Sequence, residues 1–157
     1  MPEWLAGLDP ASAALVGALL GATTGYVFRE VEEWRRRKRE RRGLLTLVDI
    51  ETKHNEELLT KYEKNPEWIT DQSRRTLSTG AWDDTRVRLS QLLKDTELFS
   101  KLAEYYEEMR RIGTYSRSDE NTSSDMRIMV VTEQLPTLQN SSNQVRQLLD
   151  KNLKRTR

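Results

Sequence analysis

Few side chains in this sequence are placed for acid–base chemistry. His54 is the only histidine, and Glu51 stands three residues before it. At that spacing the two share a helical face, where the carboxylate could orient the imidazole as a general base. The Glu51-x-x-His54 pair is also half of a di-metal carboxylate site, which repeats the motif on a second helix. The sequence has no second copy, so a zinc site would have to be completed by carboxylates. Ser78 and Thr79 lack a base nearby in sequence, and hydroxyls just ahead of an apolar helical pattern read as N-caps. Glu97, Glu104, Glu107 and Glu108 share their segment with Lys101, Arg110 and Arg111, which reads as a solvated face. The chain has no cysteine, which removes disulfides, thiolate catalysis and thiolate metal ligands together. No catalytic residue, metal site or cofactor is expected, and the chain reads as a non-enzyme.

The elements around these residues are more informative. Residues 11–28 carry no charge, and residues 29–42 then hold eight basic and four acidic side chains. An apolar run against a basic cluster has the form of a membrane span with its cytoplasmic flank. Eighteen residues at about 1.5 Å each give roughly 27 Å, just enough for the hydrocarbon core. Asp9 and Pro10 suit a helix start, and Trp4, Tyr26 and Trp34 suit the interfaces. A cleaved signal peptide fits poorly, because no basic residue precedes the run. The positive-inside rule then places residues 1–10 outside and the rest of the chain in the cytoplasm of a bacterial inner membrane.

Within the run, Ala13, Gly17, Gly21 and Gly25 repeat every four residues, a doubled GxxxG that would let two helices approach closely. Residues 29–42 read as a continuing helix whose Arg35, Arg36, Arg37, Lys38, Arg39, Arg41 and Arg42 meet the membrane surface and anionic lipid. Nucleic-acid contact is the least favoured role for these arginines.

Residues 43–112 read as a helical bundle. The charged fraction of 32% and only two phenylalanines argue against a β-sandwich. Leu44, Leu47, Val48, Ile50, His54, Leu58 and Tyr62 form one stripe, which Asn65-Pro66 ends. Trp68 and Ile69 follow as core anchors. Trp82, Val87, Leu89, Leu92 and Leu93 mark a short helix. Asp95 or Thr96 starts another, with a stripe of Leu98, Leu102, Tyr105, Met109 and Ile112 widened by Phe99 and Tyr106, and with Gly113 at its C-terminal cap. Residues 113–125 are polar throughout and read as a linker. Residues 126–157 return to a helix with Ile128, Val131, Leu135, Leu138, Val145, Leu149 and Asn152 on one face, diluted by Ser142 and kinked or split at Pro136. The expected fold is all-α: one N-terminal transmembrane helix, a basic helical stalk and a small antiparallel bundle.

The phrases Leu47-Val48-Asp49-Ile50-Glu51, His54-Asn55, Leu58-Leu59 and Leu77-Ser78-Thr79-Gly80-Ala81-Trp82 resemble a loose group of uncharacterised bacterial proteins. These have an N-terminal membrane anchor and a small cytoplasmic helical domain. The resemblance implies a membrane-anchored protein and carries no catalytic residue across.

The leading expectation is thus a single-pass interaction or adaptor protein that self-associates through its span and binds a protein partner through its bundle. A membrane-active effector whose glycine-rich spans ring a pore is the alternative, with only Ser12, Thr23 and Thr24 to line it. A hydrolase or metal enzyme built on His54 ranks third.

Overall fold

The computed structural model describes residues 10–69, 77–116 and 123–155, without the side chains of Pro10, Ala13, Tyr115 and Ser116. All the elements among them are helical. Helix α1 spans Pro10–Lys64, a short 3-10 turn spans Pro66–Ile69, and α2 (Gly80–Leu92), α3 (Thr96–Ser116) and α4 (Ser124–Arg155) follow. The chain divides into two compact units, Met1–Arg39 and Glu40–Arg157.

The transmembrane expectation is corrected. Among the described residues, no helix is long and apolar enough to cross a membrane. Gly17, Gly21, Gly25, Thr23, Thr24 and Tyr26 dilute the uncharged run, and charge resumes at Arg29. The single-pass inner-membrane placement, with its outside N-terminus and cytoplasmic bundle, loses the element it rested on. A pore walled by such spans loses it too. Trp4 and the rest of residues 1–9 lie outside the described residues.

The second unit is a helical bundle whose neighbours run antiparallel, as the pairs between them show. Along α1 and α2, Glu51 meets Trp82 while Glu40 meets Arg88. Along α1 and α4, Glu56 meets Arg146 while Glu63 meets Gln139. Along α3 and α4, Asp95 meets Asn152 while Arg111 meets Gln134. The α3 stripe is buried as its spacing predicts: Leu98, Leu102, Tyr105, Met109 and Ile112 are fully enclosed, with Tyr106 beside them. On α4 the buried set is Val131, Leu135, Leu138, Ser142, Val145, Leu149 and Asn152, and Ile69 of the 3-10 turn is buried as well.

The bundle face of α1 differs from the expected stripe. Leu47 and Ile50 are exposed, and the helix turns Leu45, Val48, Thr52, Asn55, Leu59 and Tyr62 inward. These six follow the same three- and four-residue spacing, rotated away from the most apolar line. Thr52 is tolerated because its hydroxyl donates to the carbonyl of Val48 one turn back. Val87 is exposed as well, and Thr85 takes the buried place on α2 by donating to the Ala81 carbonyl.

The helix ends expected at Gly43 and Gly113 are absent, and α4 is not split at Pro136. Helix α1 runs through Gly43, α3 runs through Gly113 to Ser116, and α4 runs through Pro136. No described glycine takes a positive φ, so neither Gly43 nor Gly113 acts as a left-handed cap. Pro136 and Thr132 are both exposed, so the carbonyl that loses its helical partner lies where solvent can serve it. Of the linker expected at 113–125, residues 113–116 belong to α3 and Ser124 and Asp125 to α4, and residues 117–122 lie outside the described residues.

Gly43 has no visible reason to be glycine, since a Cβ there meets nothing within 4 Å. Gly43→Ala is expected to raise stability by about 0.5–1 kcal/mol, read as a higher midpoint in urea unfolding.

Candidate functional site

The densest convergence of polar groups in the second unit lies where α1 meets the start of α2. The three residues before Gly80 are not helical, and the first amides of α2 have no partners within their own helix. Thr79 occupies the N-cap position but makes no capping bond. Its hydroxyl donates to Asp83 at 2.9 Å instead. The cap comes from Glu51 on α1, whose Oε1 accepts the Ala81 N–H at 2.9 Å and whose Oε2 accepts the Trp82 N–H at 3.1 Å. The Ser78 hydroxyl donates to the same Oε1 at 2.6 Å. One turn along α1, Asn55 grips the Ser78 backbone both ways. Its Oδ1 accepts the Ser78 N–H at 2.8 Å, and its Nδ2 donates to the Ser78 carbonyl at 2.7 Å.

Directly behind this clip sits an aromatic cluster. The Trp82 ring stacks on Tyr106 at 5.3 Å with an interplanar angle of 2° and tilts against Phe99 at 5.4 Å. Tyr105 meets Tyr106 edge-on at 5.1 Å. Burial pushes both tyrosine hydroxyls well above the usual phenol range, so both stay protonated at neutral pH.

The chemistry this arrangement can perform is limited by its own bonding. Glu51 is 7% exposed, and its two oxygens already accept three hydrogen bonds. Ser78 is half-buried, and its hydroxyl is held by the same carboxylate that caps α2. His54 is half-buried on α1, and Glu51 is turned to α2 instead of to the imidazole. Among the described residues, no group of three or more His, Asp or Glu side chains could hold a metal ion. Sequence reasoning missed Glu51 and Asn55 as the clip, since polar residues three to four apart on a charged helix carry no distinguishing signal. The phrases behind the resemblance contain every member of it: Glu51, Asn55, Ser78, Ala81 and Trp82.

The residues expected to associate helices or meet a surface lie mostly in the first unit. A Cβ on Gly17, Gly21 or Gly25 would meet nothing within 4 Å, so that ridge faces open space. Ala13 lies in the same helix, and its side chain is outside the described set. At about 100° per residue, a second, larger apolar stripe through Leu20, Val27, Val31 and Trp34 lies roughly 120° around from the glycines. All four side chains are exposed, Leu20 at 56% and Trp34 at 60%. Arg35, Arg36, Arg37 and Arg39 are exposed on the same helix. Glu33 holds Arg29 at 3.7 Å and Arg37 at 3.4 Å, and the Lys38 ammonium sits 5.6 Å from the Trp34 ring centroid. In the second unit, Arg42 is exposed and Arg41 half-buried. Among the described residues there is no span whose orientation these side chains could fix.

No family model, no curated protein and no solved structure matches this chain.

Glu51→Gln keeps the shape but loses the charge at a helix N-terminus and one of the carboxylate's acceptors. It is expected to cost about 1–2 kcal/mol, measured by chemical denaturation. A second carboxylate gives a pH signature. Asp95 caps α3 by accepting the Leu98 N–H at 3.2 Å and accepts from Asn152 on α4 at 3.0 Å. Those bonds, the Asn152 one foremost, hold its pKa below the ordinary 3.8. Its stabilising contribution is therefore complete above about pH 4 and fades as pH falls through the lowered value. Asp95→Asn is expected to flatten the acid limb of a stability–pH curve while leaving the neutral limb parallel to wild type.

Proposed function

We propose that this chain is a non-enzymatic helical interaction protein that self-associates through the helix of its first unit. The observation that carries the reading is the exposed stripe of Leu20, Val27, Val31 and Trp34, which begins on a segment with no charge from residue 10 to residue 28 and continues into the basic one. Contiguous exposed apolar surface of this kind marks an interaction site. Covering it removes large side chains from solvent, which stabilises association by about 1.5–3 kcal/mol per fully buried aliphatic residue. The three hydrogen bonds that Glu51 accepts from Ser78, Ala81 and Trp82 support a structural role for the polar clip. On this reading the bundle is the rigid body that association multiplies.

A second version of the contact uses the ridge of Gly17, Gly21 and Gly25, whose open surface would let backbones approach. The two versions use different faces and separate cleanly by mutation. Sedimentation of the full-length protein is expected to show a dimer or larger assembly. Leu20→Asp with Val27→Asp is expected to weaken association at least ~100-fold and to leave the circular dichroism of the bundle unchanged. Gly21→Leu is expected to leave association intact, and its loss would move the contact to the glycine ridge. A wild-type chain that stays monomeric at high concentration would overturn the proposal.

A further inference from the structure

The charge distribution along the first unit selects an orientation for the second copy. Residues 29–39 hold six basic and three acidic side chains, whereas Glu3 and Asp9 are the only charges in residues 1–28. Glu33 is already shared by Arg29 and Arg37 of its own helix, so it is poorly available to neutralise arginines across a pair. A parallel pair would set two such basic segments side by side at an interaxial distance of about 8–10 Å. That is close to the Debye length of about 8 Å at physiological salt, so the repulsion would be only partly screened. In an antiparallel pair centred on Thr23 and Thr24, the centres of the two segments lie roughly 32 Å apart along the axis at 1.5 Å per residue, about four screening lengths. The helix dipoles then oppose as well.

The seam supports the same centre. Val16 and Val31 are as far from it on either side as each other, and so are Leu20 and Val27. Thr23 and Thr24 do not bring unsatisfied donors into it, because their hydroxyls already donate to the Leu19 carbonyl at 2.8 Å and the Leu20 carbonyl at 2.7 Å. We infer that a second copy of this chain docks antiparallel on the Val16, Leu20, Val27 and Val31 face, with Val16 of one copy opposite Val31 of the other. This orientation rests on the self-association proposed above, and the charge asymmetry of the helix adds it.

The chain has no cysteine, so an introduced thiol reports only on its own position. Full-length Val16→Cys and Val31→Cys variants, distinguished by a mass tag, would be oxidised mildly alone and mixed. Disulfides form only where Cα atoms come within about 4.4–6.8 Å. The mixture is expected to give at least ~10-fold more 16–31 dimer than Val16→Cys alone gives 16–16 dimer. Thr23→Cys, at the seam centre, is expected to crosslink to itself in either orientation. A dominant 16–16 crosslink would overturn the antiparallel arrangement while leaving self-association standing. A Thr23→Cys crosslink with neither of the other two would overturn the register. No crosslink at any position, with a monomer in sedimentation, would overturn the self-association beneath both.

Discussion

The carboxylate of Glu51 on the first amides of α2 is the contact on which the bundle most depends. Helix α2 has only 13 residues, too short to persist on its own. Its N-cap side chain is engaged elsewhere, so its free N–H groups need an acceptor from outside. By supplying it, α1 fixes where α2 begins. Where α2 begins decides where Trp82 points, and Trp82 is the ring that joins α2 to Phe99 and Tyr106 of α3. One carboxylate thus sets the register of three helices. Asn55 makes the clip stiff, because a side-chain amide pairing with both backbone groups of Ser78 leaves that residue little freedom.

Much of the remaining specificity also comes from polar groups on buried faces. Thr52, Thr85 and Asn152 each donate to a carbonyl of their own helix, which satisfies a donor that burial would otherwise make costly. Asn152 and Asp95 then tie the end of α4 to the start of α3. Such pairs discriminate between registers better than leucines do, since a slipped helix would leave them unpaired.

The first unit follows another logic. Its helix shows exposed large apolar side chains on one line and bare glycine on another. Its basic residues crowd into one end. The bundle pairs Glu51, Thr52, Asn55 and Asn152 internally, while this helix leaves its apolar side chains uncovered. That contrast is why interaction is assigned to the first unit and scaffolding to the second.

The sequence by itself determined the helical class, the α3 stripe from Leu98 to Ile112, the α4 stripe and the end of α1 at Asn65-Pro66. Each is a local matter of apolar spacing or of a residue that cannot continue a helix. It misjudged the α1 face, choosing Leu47 and Ile50 over Thr52 and Asn55, because polarity was read without the partners that neutralise it. It placed breaks at Gly43 and Gly113, because local propensity near 1 kcal/mol is easily overruled by packing along the rest of a helix. The span expected over residues 11–28 is not borne out, since absence of charge is a weaker property than enough apolar surface. Only the tertiary structure decided the clip. Glu51 and Ser78 stand 27 residues apart, and a hydrogen bond over that separation is set by how helices lie together, which no local pattern encodes.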